Sequence, residues 1–241
     1  MKQLLTIVFI GLVFGGCNSN DAEVEELKKE VEQLKSKKNQ IVDKTIKLGS
    51  SYISLPMLDG MHECYDDYNV KQTINFITAK NNCEILAVYL NDFTYARKEN
   101  LGYNEFDDYF TVWIMNNIKE LDAGKKEFLM LEKENRKQFS DDDFINDLKD
   151  YKNLKEDIFS NLKMGEIYVV DVYKFNEESI TSIMLSSINN RKIIIVINIA
   201  LLNKRILNYG YYYEFDGYKS IEKAKNKNDM FTKSLFELNT N

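Results

Sequence analysis

The chain has 241 residues, with 32 basic and 38 acidic side chains and a net charge of −6. This acidic balance argues against a nucleic-acid partner, because nucleic-acid binders need a basic field that displaces counterions from phosphates. The chain also has 3 cysteines and 1 histidine. These are too few for a disulfide-stapled scaffold or a histidine-rich metal site, and we expect no metal and no cofactor.

The chain begins with the pattern of a secretory signal. Met1-Lys2-Gln3 is a short cationic start, and the run from Leu4 to Phe14 is apolar apart from Thr6 and Gly11. A permanent membrane-spanning helix needs about 20 residues, which is more than this run provides. Two glycines then stand where a signal peptidase would cut, so the segment is predicted to be a signal peptide.

The end of this segment, Val13-Phe14-Gly15-Gly16-Cys17, resembles the lipobox of bacterial lipoproteins. The resemblance implies that residues 1–16 are removed and that Cys17 is acylated. Phe14 and Gly15 depart from the commonest lipobox residues, which are Leu and then Ala or Ser. Asn18 follows the cysteine instead of the Asp associated with inner-membrane retention in some Gram-negative bacteria, so the expected location is the outer membrane. Several acyl chains hold a protein at a membrane far more firmly than one, so the membrane is the first expected partner.

Residues 17–23 are polar and are predicted to be a flexible tether, and residues 24–48 are predicted to be a charged amphipathic helix without Gly or Pro. Its apolar residues recur at alternating three- and four-residue steps, at Val24, Leu27, Val31, Leu34 and Ile41. This heptad pattern favours parallel dimers. Two clean heptads are marginal, so two alternatives stay open. The helix forms a homo-oligomer, or a single helix packs its stripe on the following domain or lies loose.

Residues 50–241 are predicted to form one α+β domain. Its first part contains short strands at Tyr52–Leu55, Ile85–Leu90 and Tyr109–Ile114, with a helix that starts at Asn69. The segment from Lys125 to Lys163 reads as charged helix. Short loops then separate four β-rich runs, which predicts an antiparallel meander over Glu166–Phe175, Ile180–Ser187, Lys192–Leu202 and Arg205–Phe215.

A last helix follows Asp216-Gly217. It can cover one face of the sheet while the helices between Lys125 and Lys163 cover the other. The stretch Ile193 to Ile197 is apolar on both of its faces, so its strand is expected to be central and covered on both sides. The predicted architecture is therefore an antiparallel β-sheet meander packed between helices.

Two parts of this domain resemble the Mog1/PsbP/DcrB-like superfamily. They are the opening Tyr52-Ile53-Ser54-Leu55-Pro56, and the ending, a hairpin over Ile193–Tyr213 followed by Asp216-Gly217 and a helix. The resemblance covers residues 50–241 in the order of elements, and no diagnostic motif matches residue by residue. It implies a non-catalytic binding or assembly role, because members of that superfamily mostly dock on partner proteins.

One cluster mixes His, Cys and carboxylates. It consists of His62-Glu63-Cys64 with Asp66 and Asp67. The cluster is consistent with a metal site, with a Cys–His nucleophile pair, or with an exposed His62 beside a buried or oxidised Cys64, and the last interpretation is favoured. The common catalytic motifs, among them GxSxG, CxxC and HExxH, do not occur in the sequence.

Cys64 and Cys83 are the cysteines that remain once Cys17 is acylated. Outside the cytoplasm such a pair permits a disulfide. The bond would close a loop of roughly 20 residues and stabilise the fold by about 3 kcal/mol. The alternative is two unpaired buried thiols.

The last strand contains a row of tyrosines. If Asn203-Lys204 is a two-residue turn, Tyr209, Tyr211 and Tyr213 share one face of the sheet. Tyrosine combines a large contact area with a polar group, which suits a surface for a partner protein. The alternative is that a helix covers the row.

The sequence therefore predicts a lipid-anchored cell-envelope protein that acts as a non-catalytic binding or assembly module, with an envelope protein of unknown identity as partner. One alternative is an atypical envelope enzyme that uses residues around 62–67. The other is a structural spacer that oligomerises through residues 24–48.

Overall fold

The computed structural model of the protein describes residues 42–78, 82–100, 106–138, 167–188 and 191–240. The strands in these ranges are β1 Val42–Leu48, β2 Ser51–Pro56, β3 Met61–Glu63, β4 Cys83–Asn91, β5 Tyr109–Met115, β6 Ile167–Asn176, β7 Ser179–Ile188, β8 Arg191–Leu202 and β9 Arg205–Glu214. The helices are α1 Tyr68–Thr78, α2 Asp92–Tyr95, α3 Lys125–Gln138 and α4 Tyr218–Asn239, and a 3-10 turn covers Lys98–Asn100. The predicted signal peptide, the acylated Cys17 and the tether lie outside these ranges.

Strands β3 to β9 form an antiparallel sheet in the order β3-β4-β5-β9-β8-β7-β6. The predicted meander is confirmed, because β6, β7, β8 and β9 are successive neighbours. The β8–β9 turn consists of Asn203 and Lys204, whose φ angles of 47° and 64° are those of a two-residue hairpin with the right twist. We name the two ends of the sheet after one residue each. The Asn203 end contains this turn, and the Asp108 end is where β5 begins and β9 ends.

Helix α4 covers one face of the sheet. Its residues Ile221, Phe231 and Leu235 share an apolar core with Val196 of β8 and Tyr209 of β9. The hairpin β1–β2 packs beside α4 on the same core through residues that include Leu48, Ile53 and Leu55. None of the helices in the described part of the chain combines the length and the apolar character of a membrane span.

The opposite face carries α1 and α3. Val70 and Ile74 of α1 pack with Val88 of β4, and Phe128 of α3 packs with Ile206 of β9. The expected α+β architecture, an antiparallel sheet between helices, is therefore confirmed. Strand β8 lies inside the sheet as expected. Its two faces differ, because Ile194 and Val196 are fully buried while Ile193, Ile195 and Ile197 are half-buried.

The prediction of a helix over residues 24–48 is wrong for residues 42–48, which form β1. β1 pairs with β2 around a turn in which Gly49 has a φ of 56°, a conformation that favours glycine. The heptad spacing continues through Ile41, but the burial of Ile53 and Leu55 against the core holds the segment as a hairpin. The folded domain thus begins before residue 50, and the strand at Tyr52–Leu55 is its second. The rest of the predicted helix lies outside the described residues.

Candidate functional site

Cys64 and Cys83 are both free thiols, so of the two alternatives the disulfide is wrong and the unpaired thiols are found, with Cys64 buried and Cys83 half-buried. The backbone N–H of Cys64 donates to the carbonyl of Val88 at 2.9 Å (N to O), and Cys83 lies five residues before Val88 on β4. Five strand residues correspond to roughly 16 Å. A disulfide requires Cα atoms within about 7 Å, so strand register keeps the two sulfurs apart.

Cys64 is also unsuited to act as a nucleophile. Its side chain is buried in the cluster with Val70 and Ile74, and its Sγ donates to the carbonyl of Val88 at 3.5 Å. Burial, with a smaller contribution from the Glu63 carboxylate, raises the pKa of the Cys64 thiol to about 12. The thiolate that nucleophilic chemistry needs is therefore strongly disfavoured near neutral pH.

His62 lies apart from this thiol, on the surface. Its Nε2 is 2.7 Å from Oδ1 of Asp92, and its ring stacks on Tyr95 with ring centroids 4.3 Å apart. Asp92 is itself exposed. The imidazole bonds to Asp92 and the Cys64 thiol bonds to Val88, so the two groups are not bonded to each other as a Cys–His pair requires.

The carboxylates of the same cluster have separate structural contacts. Glu63 accepts hydrogen bonds from the backbone N–H groups of Tyr65 and Val88, and Asp67 accepts from those of Asn69 and Val70 at the start of α1. Among the residues that the structure describes, no three side chains of His, Cys, Asp and Glu are grouped so that they could hold a metal ion.

Of the two alternatives for the tyrosine row, the partner surface is wrong for Tyr209 and Tyr211, which are fully buried and covered by α4 as the other alternative states. Tyr209 Oη donates to Thr232 Oγ1 of α4 at 2.8 Å, and the Tyr211 ring stacks on Phe110 with centroids 4.3 Å apart. Tyr213 shares their face but lies at the end of the strand, where α4 no longer covers it completely. Of the three tyrosines, Tyr213 therefore remains available for a contact.

Asp108 is held at this end of the sheet by two hydrogen bonds. Its Oδ1 accepts from Tyr211 Oη at 2.5 Å and from Lys227 Nζ of α4 at 2.7 Å. Burial, and then the bond to Asp108, raise the pKa of Tyr211 above its usual range, so its hydroxyl stays a donor. Asp108 has a φ of 50°, an uncommon conformation for a residue other than glycine. The hydrogen bonds hold the carboxylate in place despite this backbone.

A cavity of about 280 Å³ opens beside Asp108 and is lined by Asp107, Asp108, Tyr213, Glu214 and Asp216. We call it the Asp108 cavity. Three cations flank it, because Arg191 pairs with Asp107 and Glu214, Lys223 donates to Tyr213 Oη, and Lys227 bonds to Asp108. The cavity thus has the Tyr213 ring on one side and carboxylates around it. The start of β5, the end of β9 and the bond from Lys227 of α4 set the positions of these carboxylates. The four lining carboxylates outnumber the three cations by one, so the cavity suits a polar group that is neutral or carries one positive charge.

Sequence reasoning missed Asp107 and Asp108 as members of this cavity. The signal that was present is a pair of acids directly before the strand Tyr109–Met115, at a point where a turn is expected. What the sequence does not reveal is that β9 ends beside them, since the pairing of Tyr109 with Tyr212 joins residues about a hundred positions apart.

Among solved structures, the fold is similar to that of the Ran-binding protein Mog1p of Saccharomyces cerevisiae. The TM-score is 0.36 at 10% sequence identity, over 83% of this chain and 92% of that chain. The resemblance to the Mog1/PsbP/DcrB-like superfamily stays a prediction. No protein-family model and no curated protein matches the sequence.

Proposed function

We propose that the protein is a lipid-anchored, non-catalytic binding or assembly module of the cell envelope, and that it contacts its partner at the Asp108 cavity. The observation that carries the proposal is the position of Tyr213. This tyrosine remains accessible while its row neighbours are buried, and it forms a wall of a cavity with polar groups around it.

Hydrogen bonds and ring stacking position the side chains of the cavity. Tyr211 and Lys227 both bond to Asp108, and the rings of Tyr211 and Tyr213 stack with centroids 5.9 Å apart. A preformed site loses little conformational freedom on binding, which favours affinity. The matching partner presents a lysine or arginine beside an apolar or aromatic side chain.

The enzyme alternative has less support. Cys64 is buried with a raised pKa, and His62 is bonded to Asp92 on the surface. Neither residue is among those that line the Asp108 cavity. A binding role needs shape and charge at the cavity, which are present, and does not need these groups to meet.

Two experiments test the proposal. A photoreactive phenylalanine analogue in place of Tyr213 should capture an envelope protein in intact cells, whereas the same analogue in place of Tyr52, which is 60% exposed on β2, should not. Capture of the same protein from both positions, or from neither, contradicts the proposed contact. Palmitate labelling should reach the wild-type chain and be lost in Cys17→Ser, and an unlabelled wild type contradicts the anchor.

A further inference from the structure

A second cavity of about 280 Å³ lies at the Asn203 end of the sheet, between the segment 118–123 and α3. We call it the apolar groove. Its apolar lining consists of Ile118, Leu121, Ala123, Met130, Leu131 and Ile206. Leu121 and Met130 are 59% and 62% exposed, so the groove continues into an open apolar surface. Exposed apolar surface that is concentrated around a concavity is typical of a protein contact site.

Two carboxylates stand at the rim of this groove. Oδ1 of Asp122 is 2.9 Å from Nη2 of Arg205, and Oε2 of Glu127 accepts from the backbone N–H of Gly124 at 2.8 Å. Both carboxylates are exposed, so a cation of a partner can reach them. The groove therefore fits a large apolar side chain with a cation beside it.

The chain carries an apolar side chain with a cation beside it at the Asp108 end of the sheet. Phe93 of α2 is 69% exposed, and the guanidinium carbon of Arg97 lies 4.1 Å from its ring centroid. Among the residues that the structure describes, no carboxylate pairs with Arg97 in an ion pair. The pair is held firmly, because the Asn91 side chain caps α2 by accepting from the backbone N–H of Thr94 at 2.8 Å.

We propose that Phe93 and Arg97 of one copy of the chain dock in the apolar groove of a second copy. The Phe93 ring fills the groove, and the Arg97 guanidinium meets the carboxylates of Asp122 and Glu127. The inference goes beyond the proposed function, because it uses neither the Asp108 cavity nor the lipid.

The positions of the two surfaces decide the geometry of this contact. Phe93 is the second residue after β4, at the Asp108 end, where Asn91 Nδ2 donates to the carbonyl of Asp107 at 2.8 Å. The groove contains Ile206 near the start of β9, at the Asn203 end. The strands between them span roughly 25 to 30 Å, so a copy cannot fill its own groove. The contact is therefore head-to-tail. In a dimer, Phe93 and Arg97 of one copy and the apolar groove of the other copy stay unoccupied.

Photocrosslinking of the purified full chain, at rising protein concentration, tests the contact. A photoreactive phenylalanine analogue in place of Met130 should give covalent dimers and higher multiples. Peptide mapping should place the adduct within residues 92–98 of the second copy. Phe93→Ser should lower the yield at least tenfold. Met57→Ser is the matched control. It removes an apolar side chain that is 50% exposed near the Asp108 end, and it should leave the yield unchanged.

A charge exchange supplies an independent readout. Arg97→Glu should lower the yield by repulsion at the rim, and combining Arg97→Glu with Glu127→Lys in one chain should restore most of it, because the pair re-forms with its signs reversed. Dimers that map outside residues 92–98, an unchanged yield in Phe93→Ser, or no dimers at the highest concentration would each overturn the proposal. An adduct that maps to residues 24–48 would assign self-association to the predicted N-terminal helix instead.

Discussion

Arg205 is a buried cation with one carboxylate beside it. Its side chain is 2% exposed, and its Nε and Nη1 atoms have no hydrogen-bond partner in the part of the chain that the structure describes. Its Nη2 bonds to Asp122 Oδ1 at 2.9 Å and to Ser50 Oγ at 3.4 Å. Removing Asp122 therefore differs from removing Arg205, because the first leaves a buried charge without compensation.

The size of this difference follows from burial. Breaking a fully buried ion pair costs about 3 to 5 kcal/mol, and a hydrogen bond to a charged group is worth about 1.5 to 3 kcal/mol. Asp122 is 58% exposed, so water screens the pair and the lower range applies. We expect Asp122→Ala to lower the free energy of unfolding by about 2 kcal/mol. Arg205→Met removes the charge together with its two unpaired nitrogens, and we expect it to be neutral or stabilising.

Urea unfolding of four chains measures the effect, namely wild type, Asp122→Ala, Arg205→Met and the double variant. Trp113 of β5, the single tryptophan, reports the transition by fluorescence. In the Arg205→Met background, Asp122→Ala becomes a surface change and should alter stability by less than about 0.5 kcal/mol. The reasoning is refuted if Asp122→Ala costs the same in both backgrounds, or if Arg205→Met destabilises as much as Asp122→Ala.

Three further predictions follow from positions in the fold. Gly49→Ala should lower the melting temperature, because its φ is 56° and an added Cβ would lie 2.5 Å from Arg205 Nη2; an unchanged melting temperature would contradict the turn. Burial raises the pKa of the Asp171 carboxyl group, so the folded state binds a proton at this group more tightly than the unfolded state does. The ionised carboxylate therefore lowers the free energy of unfolding at neutral pH. That loss is recovered as the pH falls through the raised pKa, so Asp171→Asn should raise the melting temperature at neutral pH and not at a pH below 3.8, the ordinary value. In the folded protein Cys64 should react with a thiol reagent far more slowly than the half-buried Cys83, and unfolding without reductant should release both thiols; equal rates in the folded state would contradict the burial of Cys64.

The strands of the last third could be predicted from the sequence to within about one residue. Their signals are local, since β-branched runs are separated by short turns such as Asn203-Lys204, and neighbours along the chain are also neighbours in the sheet. The end of the predicted N-terminal helix failed for the opposite reason. The segment Val42–Leu48 continues an apolar spacing that suits a helix. Its partner strand follows after a two-residue turn, but the core that holds this hairpin comes from the sheet and α4, far along the chain.

The candidate site was predicted only in part. The tyrosine row does share a face, as Asn203-Lys204 suggested, but pattern alone could not tell which tyrosines a helix covers. That depends on where α4 crosses the sheet, which Thr232 at Tyr209 and Lys227 near Tyr211 mark. Asp108 belongs to the site through β5–β9 pairing and through a left-handed backbone, and neither leaves a strong local signal.

The β1–β2 hairpin determines how the domain responds to a mechanical force applied to the chain before residue 42. Val42 pairs with Pro56 at the open end of the hairpin, and Gly49 forms the turn at the far end. A force at Val42 therefore separates the two strands one hydrogen-bonded pair at a time, from Val42 toward Leu48, instead of loading all pairs together. On this path β1 is linked to the seven-stranded sheet by Lys44, which pairs with Glu63 of β3 and with Asp66. A load on residues before 42 would therefore reach the β1–β2 pairs and the Lys44 ion pairs before it reaches the strand pairs of the sheet.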